Sequence, residues 1–244
     1  QGDHEEPDGE AAGRRFMKPV IRHLAKVWTS EWSLTAFLVM LVLTVFVVVP
    51  LSRLLGVGTL LVTIFFSLLL ISGVAAVSER KTPTLFVTGL VIVTLILRWL
   101  THLVPSTAVQ SASVLSAIAC LGLMAGVVML QVFRKGPVTL HRIQGAIAVY
   151  LLLGVMWGYV YQLALLQIPD AFQAAELGGN QNAVISNLVY FSFVTLTTVG
   201  YGDITPVHPI VRSLATLEAL VGQLYPAILI GRLVSIELQS RRGG

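Results

Sequence analysis

The stretch Thr195-Leu196-Thr197-Thr198-Val199-Gly200-Tyr201-Gly202-Asp203 decides how this chain is read. It closes a segment, Val184–Thr198, of Ser, Thr, Asn and aromatic residues set between two long apolar blocks. At ~1.5 Å per residue a helix of that length reaches ~22 Å, short of the ~30 Å hydrocarbon core of a bilayer. The segment therefore enters a membrane and returns by the same face. Non-helical backbone at that depth is tolerated only where it is buried in protein or lines a watery cavity, because lipid satisfies neither amides nor carbonyls. A pore follows from this placement.

Around the segment lie six apolar blocks, each near the ~20 residues that a spanning helix needs. They run over Trp32–Leu51, Gly56–Val77, Pro83–Leu103, Ser106–Phe133, Leu140–Gln167 and Pro209–Gln239. The expected fold is an all-α membrane protein of six transmembrane helices, with the re-entrant segment between the fifth and sixth. Hydrophobic residues make up 55% of the chain and charged ones 11%, so water is not its main solvent. Residues 1–13 are acidic and are expected to form a disordered tail. Residues 14–31 mix Arg14, Arg15, Lys18, Arg22 and Lys26 with Phe16, Leu24 and Trp28, the pattern of a helix lying on a lipid surface. Those bases fall on one side of the membrane together with Arg80, Lys81, Arg134, Lys135, Arg142, Arg241 and Arg242 if six helices alternate. The positive-inside rule then makes both termini cytoplasmic. No cleavable signal peptide is read. The basic residues flank apolar blocks and form no stripe with stacking aromatics, which excludes nucleic acid as a partner.

In Thr198-Val199-Gly200-Tyr201-Gly202-Asp203 the chain resembles the potassium-channel family, whose signature is T-V-G-Y-G after a pore helix, often followed by Asp. The resemblance is close over residues 140–239 and is one of layout alone over residues 1–139. It implies a passive, non-enzymatic, potassium-selective channel in a cell membrane, with no cofactor and with K⁺ as the permeant ion. Desolvating a cation requires carbonyl oxygens in place of water, all turned to one side of an extended chain. Gly200 and Gly202 can take positive φ at little steric cost, while Val199 and Tyr201 project away into packing. The resemblance implies that the carbonyls of Thr198, Val199, Gly200 and Tyr201, with the Thr198 hydroxyl, form stacked K⁺ sites within a filter over residues 198–202. One strand cannot surround an ion, so a homotetramer is required. Relatives commonly carry paired tryptophans in the pore helix. This chain has Tyr190 and Phe191, expected to support Tyr201, with Asp203 at the outer mouth and Val194 where some relatives have glutamate.

Gly222 and Pro226 in the last block are candidate gating residues, either as a hinge and kink or as a close-packing glycine and an ordinary membrane-helix proline. Glu218 is the acid deep in a membrane block. Two readings stand for it: tuning of ion occupancy or gating, or a structural hydrogen bond behind the filter. Gln223 is expected near the cavity, and Arg232 and Glu237 near the inner mouth. His208 is either a proton sensor or a solvated loop residue, and Arg53 and Arg98 are interfacial anchors. Cys120, the single cysteine, is a packing residue with no disulfide or metal role.

The domain division expected is a tail and interfacial helix over 1–31, a four-helix unit over 32–135 and a pore domain over 136–244. A voltage sensor needs several charges in the fourth helix, yet Ser106–Phe133 contains no Lys, Arg, Asp or Glu, so steep voltage gating is not expected. With five residues after Gln239, no soluble ligand-binding domain is expected, leaving the channel itself and membrane lipids as partners. A non-conducting regulatory subunit is the rival reading. An intramembrane enzyme lacks support, since neither H-E-x-x-H nor G-x-S-x-G occurs.

Overall fold

A computed structural model describes residues 33–54, 59–77, 81–104, 106–134, 139–168, 170–173 and 181–242. The acidic tail and the basic interfacial helix expected over 1–31 lie outside the described residues, as do the side chains of Arg53 and Glu237. In chain order the elements are α1 (33–54), α2 (Thr59–Val77), α3 (Lys81–Leu103), α4 (Thr107–Val132), α5 (Leu140–Gln167), β1 (Phe172–Gln173), α6 (Gln181–Leu196), β2 (Thr205–Pro206) and α7 (Pro209–Arg242). Six of the helices are long and apolar enough to cross a bilayer, so the chain is a multi-pass membrane protein. The seventh, α6, has 16 residues and reaches only ~24 Å. The long elements follow the apolar blocks closely. Two differences are that α6 starts three residues before Val184 and that α7 runs on to Arg242.

Local chemistry explains the irregular points. Helix α1 widens into a π-bulge over Thr44–Val48, where the amide of Val49 reaches back five residues to the carbonyl of Thr44. Pro50 follows at once. It has no amide to continue the ladder, and its ring crowds the carbonyl four residues earlier, so the chain absorbs the conflict by gaining a residue in the turn. At the start of α7, Pro209 occupies the first helical position, where a missing amide costs nothing. The Nδ1 of His208 accepts the amide of Ile210 at 3.3 Å, so this histidine caps a helix and is not a free loop residue.

One apolar core runs through the four-helix unit and into α5, α6 and α7, from Leu34 and Phe37 to Val189 and Tyr225. Helices α4 and α5 pack antiparallel over their length, with Gln167 bonded to Ser111 at one end. The Arg98 guanidinium lies over the rings of Phe66 in α2 and Tyr159 in α5, at 5.4 and 5.9 Å from their centroids. Arg98, expected as an interfacial anchor, is thus a cation–π bridge from α3 to α2 and α5. The π-bulge sets Phe46 against Phe193 of α6 with centroids 5.8 Å apart, so α1 also touches the re-entrant helix.

Helix α6 lies close against α5 because α5 presents glycine. A Cβ at Gly158 would stand 2.7 Å from Val189 Cγ2 and 2.9 Å from the Val189 Cα, so here backbone opposes backbone. Gly158→Ala is expected to destabilise the protein by about 1–3 kcal/mol, the usual cost of overpacking. Gly126→Ala, where a Cβ would meet nothing within 4 Å, is expected to be near neutral. Unfolding of the two variants in one detergent, followed by denaturant titration, checks the difference.

Candidate functional site: the re-entrant loop and its support

The re-entrant loop begins where α6 ends, and its backbone is arranged residue by residue. Thr198, Gly200 and Gly202 take φ of +59°, +62° and +80°, in alternation with Val199 and Tyr201. The two glycines adopt the left-handed region that their spacing predicts. Thr198 joins them without a glycine's freedom, a strained position that the motif alone does not reveal. The amides of Val199 and Gly200 both turn back to the carbonyl of Val194, at 2.9 and 3.4 Å. In a trans peptide the carbonyl points opposite to the following amide, and none of the peptide bonds is cis. The carbonyls of Thr198 and Val199 are therefore directed away from α6. The C-terminal end of α6, with its partial negative charge, stands behind them.

The loop is exposed from Thr197 to Asp203 and held at each end by a buried residue, Leu196 and Ile204. Past the loop, β1 and β2 pair antiparallel, Phe172 opposite Pro206, and the amide of Val207 bonds to Ala171 at 3.0 Å. This clamp joins the segment after α5 to the segment before α7. Asp203 stays exposed, with Oδ1 accepting the amide of Ile204 at 3.1 Å.

Val199 and Tyr201 do not pack away within one chain, since they are 52% and 72% exposed. Phe191 packs on the scaffold side of α6, its ring 5.0 Å from Tyr161 and 5.4 Å from Phe172. Tyr190 is exposed on another side of α6.

Glu218 is fully buried in α7. It accepts hydrogen bonds from the Tyr161 hydroxyl of α5 and the Ser192 hydroxyl of α6, and Ser192 also reaches the carbonyl of Gly154 at 2.7 Å. Of its two readings, the arrangement matches the structural one, a side chain joining three helices behind the loop. Relatives with a glutamate behind the filter would carry it near Val194; here a carboxylate comes from α7. That Tyr161 and Ser192 are its partners was not visible in the sequence, because they lie 57 and 26 residues away.

Gly222 is a close-packing glycine: a Cβ there would fall 1.9 Å from the carbonyl oxygen of Leu196, the last residue of α6. The Tyr150 hydroxyl approaches the same carbonyl at 3.3 Å. Pro226, which cannot return a hydrogen bond to the Gly222 carbonyl, lies inside α7, and the helix continues through it. Beside it, Tyr225 donates to the carbonyl of Ala146 in α5 at 2.8 Å. Gln223 faces the loop, its Nε2 a long 3.5 Å from Thr198 Oγ1. Arg232 is exposed near the far end of α7.

Because Tyr161 and Glu218 share one buried hydrogen bond, their substitutions are expected to be non-additive. Tyr161→Phe and Glu218→Gln should each destabilise the protein by about 1–3 kcal/mol, and the double variant by less than the sum, with a coupling of about 0.5–3 kcal/mol. Chemical unfolding of the four proteins measures it, and a coupling of zero would deny the contact.

With this geometry in view, comparison with known proteins is informative. Residues 146–238 match the Ion channel family. A protein named LctB from Geobacillus stearothermophilus is 42% identical over 60 residues, 25% of this chain and 44% of that protein. The two pore potassium channel c of Oryza sativa subsp. japonica is 33% identical over 89 residues, 34% of this chain and 20% of that one. The inward rectifier potassium channel Kirbac3.1 of Paramagnetospirillum magnetotacticum is 36% identical over 69 residues, 28% of this chain and 22% of that one. The chain spans less than half the length of these curated relatives. No solved structure matches it significantly. The matched residues take in most of α5, α6, the loop and most of α7, and over them the chain is similar to the Ion channel family and to potassium channels.

Proposed function

We propose that this protein is a subunit of a homotetrameric, potassium-selective channel of the cell membrane. K⁺ is the permeant ion, no cofactor is needed, and both termini are cytoplasmic. The observation that carries this reading is the alternation of left-handed and extended backbone at Thr198, Gly200 and Gly202, with the Thr198 and Val199 carbonyls turned from α6. Four such strands about an axis offer rings of carbonyl oxygen that replace the hydration shell of a dehydrated cation. The carbonyls of Thr198, Val199, Gly200 and Tyr201 and the Thr198 hydroxyl form the rings, and Gly202 closes the filter. Tyr190 and Phe191 support it, and Asp203 marks its outer mouth.

Exposure supports the tetramer. In α7, Leu217, Leu220, Leu224 and Ile228 are each at least half exposed at helical spacing, on the helix that faces the loop through Gln223. Val199 and Tyr201 are likewise more than half exposed, and neighbouring copies supply the missing packing. The residues of 32–135 form a collar on the pore domain over 136–244, and Gly222, Pro226 and Glu218 set the stiffness of the inner helix.

Gly200→Ala and Gly202→Ala are each expected to abolish conduction or the preference for K⁺ over Na⁺, because alanine resists the left-handed backbone. Cation flux from liposomes that contain only this protein tests it, and parental selectivity in either variant would falsify the filter assignment. The same preparation tests gating. The described part of α4 carries no charged residue and Arg98 is held between two rings, so no series of charges can cross the field. Open probability is expected to vary only shallowly over roughly ±100 mV, with no gating current; a steep sigmoid with measurable gating charge is the opposing result.

A further inference from the structure

Three pairs of oxygens stand at hydrogen-bond distance behind the loop: the Tyr161 hydroxyl with Oε2 of Glu218, the Ser192 hydroxyl with Oε1 of Glu218, and the Ser192 hydroxyl with the carbonyl of Gly154 at 2.7 Å. Tyrosine and serine bring one hydroxyl hydrogen each, while an ionised carboxylate and a carbonyl bring none. Two hydrogens do not fill three contacts. While Glu218 is ionised and Ser192 donates to it, the Ser192 and Gly154 oxygens face each other with no hydrogen between them. The third hydrogen has one place to sit, on Glu218. Its Oε1 then donates to Ser192, and the serine hydrogen turns to Gly154.

The surroundings favour that arrangement. Glu218 is fully buried, and no basic side chain among the described residues acts on it, so an ionised carboxylate there is a charge without a counter-ion. The titratable groups that face it are Tyr161 and Tyr150, both from α5. Tyr190 of α6 is exposed on another side, and on α7 the nearest charges, Arg212 and Arg232, stand six and fourteen positions away.

We infer that Glu218 is a proton-binding site behind the loop, at which a bound proton completes the chain Tyr161–Glu218–Ser192–Gly154 and its loss alters conduction. Ser192 belongs to α6 and Glu218 to α7, and one turn further along α7 Gly222 meets the Leu196 carbonyl, directly before the loop. Loss of the proton leaves a buried negative charge and an unfilled contact between α5 and α6 at that joint. The effect on conduction rests on the reading of the loop as a filter; the proton itself does not.

Infrared spectroscopy of the purified full chain in lipid, with isotope-labelled glutamate, tests the proton. At neutral pH the carbonyl stretch of a neutral carboxylic acid is expected, absent from Glu218→Gln and lost from the parent as the pH is raised. Glutamine keeps the shape of the neutral acid and does not titrate, though it adds an amide hydrogen that the three contacts do not use. Because Tyr161 donates to the carbonyl oxygen of the acid, Tyr161→Phe is expected to move the band to higher frequency, a shift that a merely structural glutamate would not show. Parent spectra in which Glu218 is ionised at neutral pH overturn the inference. Potassium flux from liposomes is expected to change severalfold between neutral and alkaline pH in the parent and to stay flat in Glu218→Gln. A band that titrates while parental flux stays constant overturns the link to conduction, and absence of flux at every pH counts against the loop reading while the infrared band still decides the proton.

Discussion

Backbone that is neither helix nor strand must find partners for its amides at membrane depth, and the rest of this structure is arranged around that constraint. The carbonyl of Val194 takes two of the loop amides, which commits the opposite ends of those peptides, the carbonyls, to the other side. That arrangement holds only while α6 is rigidly placed. Its position is set by contacts too close to admit a side chain, at Gly158 against Val189 and at Gly222 against the Leu196 carbonyl. The hydroxyl of Ser192, shared between Glu218 and Gly154, adds a polar tie where lipid offers none.

Among the described residues the four-helix unit is joined to this scaffold by apolar and cation–π contacts and by the hydrogen bonds Gln167–Ser111 and Thr35–Gln144. Phe46 reaches α6 because a proline two residues beyond the bulge forces α1 out of register, so a local backbone conflict in the first helix becomes a contact with the re-entrant one. Arg98, between Phe66 and Tyr159, has its charge met by two ring faces and cannot leave without exposing both. The joint of the four-helix unit with α5 includes Gly145, packed against Val132 and Leu34 and one residue from the Ala146 carbonyl that Tyr225 clasps, so the unit and the inner helix share one stretch of α5.

The sequence by itself determined the six spans, the short re-entrant helix and the glycine alternation of the loop, because each is a local property. Hydropathy over about 20 residues decides what crosses a bilayer, and positive φ is available to glycine from its own chemistry. Tertiary structure alone decided which residues meet. Thr198 is left-handed because two amides beyond it are bound to Val194, which no propensity of threonine suggests. Arg98 reads as an anchor from its place near a helix end and becomes a bridge only when α2 and α5 bring rings to it. Glu218, Tyr161 and Ser192 are unremarkable apart from one another, and Gly222 could be hinge or contact until the Leu196 carbonyl is seen beside it. At Thr198 the deciding bonds reach back only five and six residues, but the physical reason is common to the other three. Conformational preference is set within a few bonds, whereas hydrogen bonds, ring contacts and steric limits act across a few ångströms between residues that the chain separates by tens of positions.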